Sequence, residues 1–538
     1  MDMEIDDLIM DGTSNFELPE HVLHKILSFL PRRDAIRASA SSKQWRSAWI
    51  SSPVFSFDED AVPFKNSDFF DHVDASLSLW RDRCDNRLTM ESLSLSAAIS
   101  NQDSFSRLKQ IVAATTSRNV KAIELHTRKF ELLIWTLADA DANSLLSILF
   151  ACNSLNVLSL RCFDFHIPNS LSAISSLSKL TLSCSFIDEN SLKNLLSCFP
   201  LLKDLAIGFC YGFNELRVSS PSLRTLEVTL CDDLAQKVVI DAVNLRHFTY
   251  DRTFRAPGIV SFSDCKSLTS LHIHGDLSTA WKIDEYISKI PLLEDLILDG
   301  FNKLESIQIS HTNLKSLKFK GCWCLSNAEI NTPNLRLFRY CGGITHVSTF
   351  KYCSGFLDAK LDLYTGSLDG TQWFWFIKLR NFLEIFSNCK VLSLSCWLEG
   401  FTEELQDEDF LPDPLYELKH LEITNRFLPI EDYSSFVDAM MELFPGLETL
   451  TLKTSSARIF IEFDEYGSST VEWFISTSDT EERNRINASV DEIVETKRIQ
   501  IEQKLHSAEV IGTFLLHTCP GNRISAYLVC LVPKNLRH

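Results

Sequence analysis

One spacing of apolar residues recurs along most of the chain. From residue 88 onward the order apolar-x-x-apolar-x-apolar is repeated, from MESLSL at Met90 to LETLTL at Leu447. Between Leu155 and Leu335 successive copies begin 22, 25, 21, 22, 23, 25, 21 and 21 residues apart. In each copy the final apolar residues alternate with polar ones, which predicts a short strand with one buried and one exposed face.

A period of about 20–29 residues is typical of leucine-rich repeats. Because one repeat cannot bury its own apolar face, neighbouring repeats must stack. The sequence therefore predicts an α/β fold in which residues 88–453 form a curved solenoid with parallel strands on its concave face. Segments between the copies predict further strands on the back, at Leu216 and Leu304, and a helix that Asp188 caps.

The regular spacing is interrupted before the repeats end. Around residues 341–388 we expect an insertion, and residues 399–415 form an acidic segment that is most simply a solvated loop. The insertion contains a helix candidate that is rich in aromatic residues. Its apolar side chains are expected to pack in the core rather than to bind a partner: Trp373, Phe374, Phe376 and Ile377. Residues 454–538 are assigned to a C-terminal region whose helix around Val490 can cap the solenoid or bind a separate partner.

A different apolar pattern occupies the start of the chain, after an acidic segment at residues 1–15 that we expect to be disordered. Pro19 suits the first turn of a helix and Pro31 ends it. The apolar stripe between them has helical spacing: Leu23, Ile26, Leu27 and Leu30. Asp34, and then Ser41 or Ser42, are expected to cap two further short helices. Three helices of this length cannot bury their apolar surface alone, so the rest of the chain or a partner must cover it.

This N-terminal stretch resembles an F-box, in particular the plant type that precedes leucine-rich repeats. The residues that match are Leu18, Pro19, Leu30, Pro31, Asp34, Ala35, Ser42, Lys43, Trp45 and Arg46. The resemblance assigns residues 16–53 to the F-box and leaves residues 54–87 as a linker. It also implies that the stretch contacts a Skp-family adaptor through Leu18, Pro19, Val22, Ile26, Leu30, Pro31 and Trp45. Trp45 and Trp49 are equally compatible with packing inside the helical stretch itself.

The function that this resemblance implies is that of a substrate receptor in a Skp–cullin–F-box ubiquitin ligase. The adaptor would connect the chain to a cullin scaffold and a RING subunit, and the outward face of the repeats would bind an unknown protein substrate. Candidate substrate-binding residues on that face are His272, His274, Lys318, Lys320 and Arg339. The alternative is a repeat scaffold that binds partners without directing their degradation.

Composition excludes several other classes of protein. A net charge of −19 argues against binding to nucleic acid, and no apolar run reaches the length of a membrane span. The N-terminus has no signal-peptide pattern, so we expect a protein of the nucleus or cytoplasm. The 16 cysteines have no Cys-x-x-Cys spacing, which favours reduced core thiols.

Catalytic motifs are also missing from the sequence, so we expect a non-enzymatic chain without a cofactor or a metal. His272 and His274 share one face of a predicted strand. The sequence places no carboxylate or cysteine beside them, which favours a surface pair over a metal site.

Overall fold

The structure is a computed structural model of the chain. It describes residues 18–531 except for 31, 62–65, 84–88, 100, 129–138, 166–175, 231–236, 253–258, 263, 276–282, 344–345, 352–356, 364–380, 387–388, 390, 397–415, 417, 427, 464–468, 478, 507–510 and 520–522. Three predictions lie outside these residues: the acidic N-terminus, the aromatic helix candidate at residues 373–377 and the acidic segment at residues 399–415.

The described residues form ten α-helices. These are α1 Glu20–Phe29, α2 Arg32–Ser41, α3 Lys43–Ser51, α4 Asn66–Arg83, α5 Gln102–Thr116, α6 Asp139–Phe150, α7 Glu189–Ser197, α8 Ile283–Ile287, α9 Tyr433–Leu443 and α10 Thr480–His506. None of them is long and apolar enough to cross a membrane.

Helices α1 to α3, here called the N-terminal module, confirm the three helices expected from the sequence. Ser42 caps α3, because its hydroxyl accepts a hydrogen bond from the Trp45 N–H at 3.2 Å. The prediction for Asp34 is wrong. Because α2 already begins at Arg32, Asp34 lies in the first turn of that helix and pairs with Arg37 at 3.3 Å.

The chain divides into two compact units, residues 1–242 and 243–538. Strands of the first unit are β1 Val54–Asp58, β2 Ser92–Ala98, β3 Ala122–Arg128, β4 Val157–Arg161, β5 Asp164–Phe165, β6 Lys179–Ser183, β7 Phe186–Ile187, β8 Asp204–Gly208, β9 Glu215–Ser219, β10 Thr225–Leu230 and β11 Lys237–Asp241. A parallel sheet runs through β1, β2, β3, β4, β6, β8 and β10.

The second unit contains seventeen described strands. They are β12 His247–Arg252, β13 Ile259–Ser261, β14 Ser270–His274, β15 Asp295–Asp299, β16 Ser306–Ser310, β17 Ser316–Lys320, β18 Asn327–Asn331, β19 Leu337–Gly342, β20 His346–Lys351, β21 Asp358–Leu363, β22 Val391–Cys396, β23 His420–Thr424, β24 Thr449–Lys453, β25 Ala457–Phe463, β26 Ser469–Ile475, β27 Ile511–Cys519 and β28 Arg523–Leu531. A parallel sheet here runs through β12, β14, β15, β17, β19, β21, β22, β23 and β24.

Every copy of the apolar pattern forms a strand of these parallel sheets, so the prediction of a leucine-rich α/β fold is confirmed. Inward residues such as Leu296 and Leu298 are fully buried, and the residues between them face outward. The returning segments are helical in the early repeats, where Asp188 caps α7 as predicted. Several later repeats return through strands instead, and β16, β18 and β20 form a further parallel sheet, whereas the segments before β15 and β24 contain the helices α8 and α9.

Two stretches contain more of the sheet than the sequence indicates. Residues 54–58 were assigned to the linker, but they form β1 and pair with β2 from Val54 to Asp58. The expected insertion around residues 341–388 contains β21, which pairs with both β19 and β22. Repeats therefore continue through part of that segment.

At the end of the repeats the pairing of the strands changes from parallel to antiparallel. Strand β25 pairs antiparallel with β24 and with β26. Helix α10 packs against this end through the buried side chains of Val490 and Val494, and the Trp473 indole donates a hydrogen bond to Asn487 at 3.0 Å. The capping role of the C-terminal region stays a prediction.

A backbone turn with positive φ follows many of the parallel strands, and Gly300 illustrates why. Its φ is +74°, and a Cβ there would lie 3.0 Å from both Cδ2 and Nε2 of His274.

We expect Gly300→Ala to lower the free energy of unfolding by about 1–2 kcal/mol, because an L side chain is strained at this φ. Chemical unfolding measures the change. Gly208→Ala is the control, since its Cβ would meet only Ser183 Oγ at 3.6 Å. Equal losses in the two variants would contradict the explanation.

Candidate protein-interaction surfaces

The N-terminal module has a small core of its own. Leu23, Leu27, Ala35 and Ala48 are buried, and four half-buried residues pack against them: Leu30, Ala38, Trp45 and Trp49. Both tryptophans therefore pack within the module, which was one of the two alternatives for them. Leu30 and Trp45 also face this core, so only part of each side chain remains for the adaptor contact predicted from the resemblance.

A second apolar stripe on α1 lies beside the one that forms the core. Val22, Ile26 and Phe29 follow each other at intervals of four and three residues, which places them on one helical face. Phe29 is 74% exposed, whereas Val22 and Ile26 are half-buried. Two further exposed apolar residues precede the helix: Pro19, three residues before Val22, and Leu18, which is 39% exposed.

These five residues are here called the apolar edge: Leu18, Pro19, Val22, Ile26 and Phe29. The start of the edge is held in place, because the Gln44 amide donates a hydrogen bond of 2.7 Å to the Leu18 carbonyl. Phe29 was not among the predicted contacts, although its place in the stripe could have indicated it. Pro31, which was among them, lies outside the described residues.

The predicted substrate-binding residues come together on the outward face of the second unit. His272 lies opposite Ile297, which lies opposite Lys318, which in turn lies opposite Arg339. His274, Asp299 and Lys320 form the adjacent row in the same way. The structure thus places all five predicted residues in two neighbouring rows, across β14, β15, β17 and β19. Their role in binding stays a prediction.

Carboxylates surround the histidine pair, which the sequence did not indicate. His274 Nδ1 lies 2.8 Å from Asp251 Oδ1, and His272 Nε2 lies 3.8 Å from Asp299 Oδ2. Lys320 Nζ approaches the same Asp299 carboxylate at 3.9 Å. Among the described residues no group of His, Cys, Asp and Glu has the arrangement of a metal site. In this cluster His274 shares a hydrogen bond with Asp251 and Lys320 forms an ion pair with Asp299, whereas a histidine carries charge only when it is protonated.

Burial has a clear effect on His272. Desolvation by burial lowers the pKa of its imidazole, and the positive charge of Lys320 lowers that pKa further. The negative charge of Asp299 raises it, but by less than burial lowers it. Its Nε2 is buried without a hydrogen-bond partner. Because the pKa is lower in the folded state, the unfolded chain binds more protons as the pH falls through the usual histidine pKa of about 6.5.

We therefore expect the free energy of unfolding to decrease as the pH falls through about 6.5, and to lose this dependence below the native pKa of His272. His272→Gln should make the decrease shallower, because the group that titrates differently in the two states is gone. Urea unfolding at a series of pH values measures it. His247→Gln, at an exposed position on β12, is the control. Unchanged slopes in His272→Gln would refute the assignment.

Comparison with known protein families matches three segments of the chain. Residues 16–57 match the F-box domain. Residues 108–260 match the LRR repeats of the FBD-associated F-box protein At5g56370 family, and residues 253–465 match the At1g61320/AtMIF1 LRR domain. The F-box match begins before the apolar edge and ends within β1.

Individual relatives come from Arabidopsis thaliana. The F-box/FBD/LRR-repeat protein At2g04230 is 29% identical over 262 residues, which cover 46% of this chain and 54% of the relative. The FBD-associated F-box protein At3g52670 is 31% identical, over 41% of this chain and 49% of the relative. The F-box/LRR-repeat protein At5g02910 is 30% identical, over 49% and 53% respectively. The chain spans about half the length of these curated relatives.

Proposed function

We propose that this chain, an F-box protein with leucine-rich repeats of the plant type, is the substrate-recognition subunit of a Skp–cullin–F-box ubiquitin ligase. The F-box domain implies binding to a Skp-type adaptor. The adaptor connects the chain to a cullin scaffold and a RING subunit, and the repeats bind the target protein. Other subunits carry out the ubiquitin transfer, while this chain supplies proximity and orientation.

The apolar edge is the observation that carries this proposal. Phe29 is 74% exposed and Leu18 39% exposed, although the same module buries Leu23 and Leu27 almost completely. Exposed apolar side chains grouped on one helical face are typical of a protein interface. The apolar edge lies within the residues that match the F-box domain. We therefore infer that its partner is a Skp-type adaptor.

The repeats support the second half of the proposal. Parallel strands present rows of outward side chains, and stacked repeats of this kind form extended binding surfaces. In the second unit these rows carry several charged and imidazole groups, with the apolar Ile297 among them. Such a surface is suited to selecting a protein partner by charge complementarity.

Co-expression of the full chain with a Skp-family adaptor tests the proposal. We expect a stable complex that survives size-exclusion chromatography and that binds a cullin–RING pair. A chain that is folded by circular dichroism but elutes without the adaptor would overturn the proposal. Assembly into the complex without any change in the ubiquitination or abundance of captured proteins would instead favour the non-degradative scaffold.

A further inference from the structure

Two cysteines of the first unit occupy a backbone conformation that favours glycine. Cys162 directly follows β4 and Cys184 directly follows β6, and their φ angles are 63° and 51°. Glycine stands at the same place after β14, β15 and β17: Gly275, Gly300 and Gly321. An L residue is strained in this left-handed region, because its Cβ comes too close to the following carbonyl oxygen. Glycine would therefore suit both positions better than cysteine does.

The two cysteines are neighbours in the stack of repeats. Arg161 lies opposite Ser183, so the residues that follow them, Cys162 and Cys184, are opposite each other as well. The Cys162 N–H donates a hydrogen bond to the Ser183 carbonyl at 2.9 Å, which continues the ladder beyond the two strands. Strands paired in this way are about 4.8 Å apart. A disulfide joins residues whose Cα atoms are about 4.4–6.8 Å apart, so the backbone separation suits one.

The shared backbone conformation also brings the two side chains to the same side of the turn. Because both residues have left-handed φ angles and follow paired positions, we expect their Cα–Cβ bonds to run nearly parallel. The Cβ atoms of a disulfide are about 3.5–4.5 Å apart, so a small approach of the two turns closes the bond. Both side chains are half-buried, which leaves them accessible to small reagents. The next residue in this row is Phe209, with a φ of 55°.

A third thiol lies beside the pair but differs from it in burial. Cys210 is 1% exposed, and its Sγ–H donates to the Leu182 carbonyl at 3.5 Å. Burial is the main reason that the pKa of the Cys210 thiol is raised to about 12, and the neighbouring Cys184 and Cys162 add to the increase. Because the thiolate is the reactive form of cysteine, Cys210 stays a protonated thiol. Oxidation is therefore expected at the two outer cysteines.

We propose that Cys162 and Cys184 are an oxidation site, at which hydrogen peroxide forms a reversible disulfide between two successive repeats. One cysteine, as the thiolate, attacks a peroxide oxygen, the O–O bond breaks, and the hydroxide that leaves takes up the proton of that thiol as water. The second thiol attacks the resulting sulfenic sulfur, so that the S–S bond forms and a second water leaves. Two electrons pass from the thiols to the peroxide.

The position of the bond makes it reversible. Exposed disulfides are more readily reduced than buried structural ones, and both of these cysteines are partly exposed. Where thiols are otherwise kept reduced, such a disulfide is usually transient and redox-sensing. The bond would join the repeats that begin at Leu155 and Leu177 and limit the local opening of β4 and β6.

Peptide mass spectrometry of the full chain after peroxide treatment tests the inference. Cleavage after lysine and arginine places the two cysteines in separate peptides, residues 162–179 and 180–193. We expect these peptides to appear joined, at the sum of their masses less two hydrogen atoms, and to separate after reduction with dithiothreitol. Hydrogen exchange in β4 and β6 should be slower in the oxidised chain and should return to its original rate on reduction.

Cys184→Gly is the variant that removes the bond and keeps the fold, since glycine is favoured at a left-handed φ. Its circular dichroism should match that of the unchanged chain, and it should lose both the joined peptides and the slower exchange. Cys324→Ser is the matched control, because Cys324 is an exposed cysteine of the second unit. It should keep both effects.

The peroxide concentration is raised until most of Cys324 is oxidised, so that an accessible thiol has demonstrably reacted. Cys162 and Cys184 that are still thiols at that concentration would overturn the inference. Their conversion to sulfinic acid without a bond between them, or their bonding mainly to other cysteines, would do the same. Slower exchange after peroxide in Cys184→Gly would show that the bond is not the cause of the protection.

Discussion

The double variant Leu18→Ala, Pro19→Ala is expected to lose binding to the proposed Skp-family adaptor while the chain stays folded. Both residues are exposed, so their removal costs the fold little. In an interface the same residues would be covered, and truncating a single hot-spot residue weakens binding by roughly thirtyfold or more, about 2 kcal/mol. Adaptor capture measured by co-purification and by titration calorimetry should therefore fall to a very low level.

Two further variants separate binding from folding. Phe29→Ala should weaken the adaptor complex in a similar way, because its side chain in the apolar edge is 74% exposed. Leu201→Ala is the matched control, since Leu201 is an apolar residue of the repeats that is 55% exposed. It should bind the adaptor like the unchanged chain. Full binding by the double variant, or an equal loss in Leu201→Ala, would contradict the assignment of the edge.

The repeats could be predicted closely because their signal is simple. Each strand needs two inward apolar side chains at a fixed separation, and stacking keeps the interval between repeats nearly constant. Strand β21 was missed because the first of these inward positions is Ala359, which is buried but too small to continue the leucine pattern. Strand β1 was missed because it directly follows α3, outside the run of repeats.

The candidate sites were harder to predict because their members come from different repeats. The His274–Asp251 pair joins residues that are 23 positions apart, and their contact depends on the register between β12 and β14. In the same way Lys360 lies opposite Arg339 only because β21, which the pattern did not reveal, pairs with β19. A list of outward positions was therefore obtainable from the sequence, whereas their grouping into rows required the pairing of the strands.

The N-terminal module shows a related limit. Helical spacing identified the apolar residues of α1, but it could not divide them between core and surface, because Leu23 and Val22 differ by a single step along the helix. The packing of α2 and α3 against α1 decides which residues are buried. It covers Leu23 and Leu27 and leaves Phe29 exposed. Apolar content alone is thus a poor guide to which residues contact a partner.

The second large effect is expected in the core of the repeats. Leu298 is fully buried on β15, whereas its neighbour Ile297 faces outward and is half-buried. Leu298→Ala should lower the local free energy of unfolding by about 2–5 kcal/mol, because it removes buried methyl groups and leaves a cavity. Ile297→Ala, the matched control on the opposite face, should cost well under half as much, since its side chain keeps part of its contact with water.

Hydrogen exchange measured by mass spectrometry resolves where this loss occurs. Stability in a repeat array depends on each repeat and on its contacts with the next, so faster exchange should extend from β15 to its partners β14 and β17. Strands β2 and β3 of the first unit should keep their protection in both variants. If Ile297→Ala loosened β14 and β17 as much as Leu298→Ala does, the outward face would contribute to packing as strongly as the core. The row of side chains on that face would then be part of the fold rather than a surface free to bind a partner.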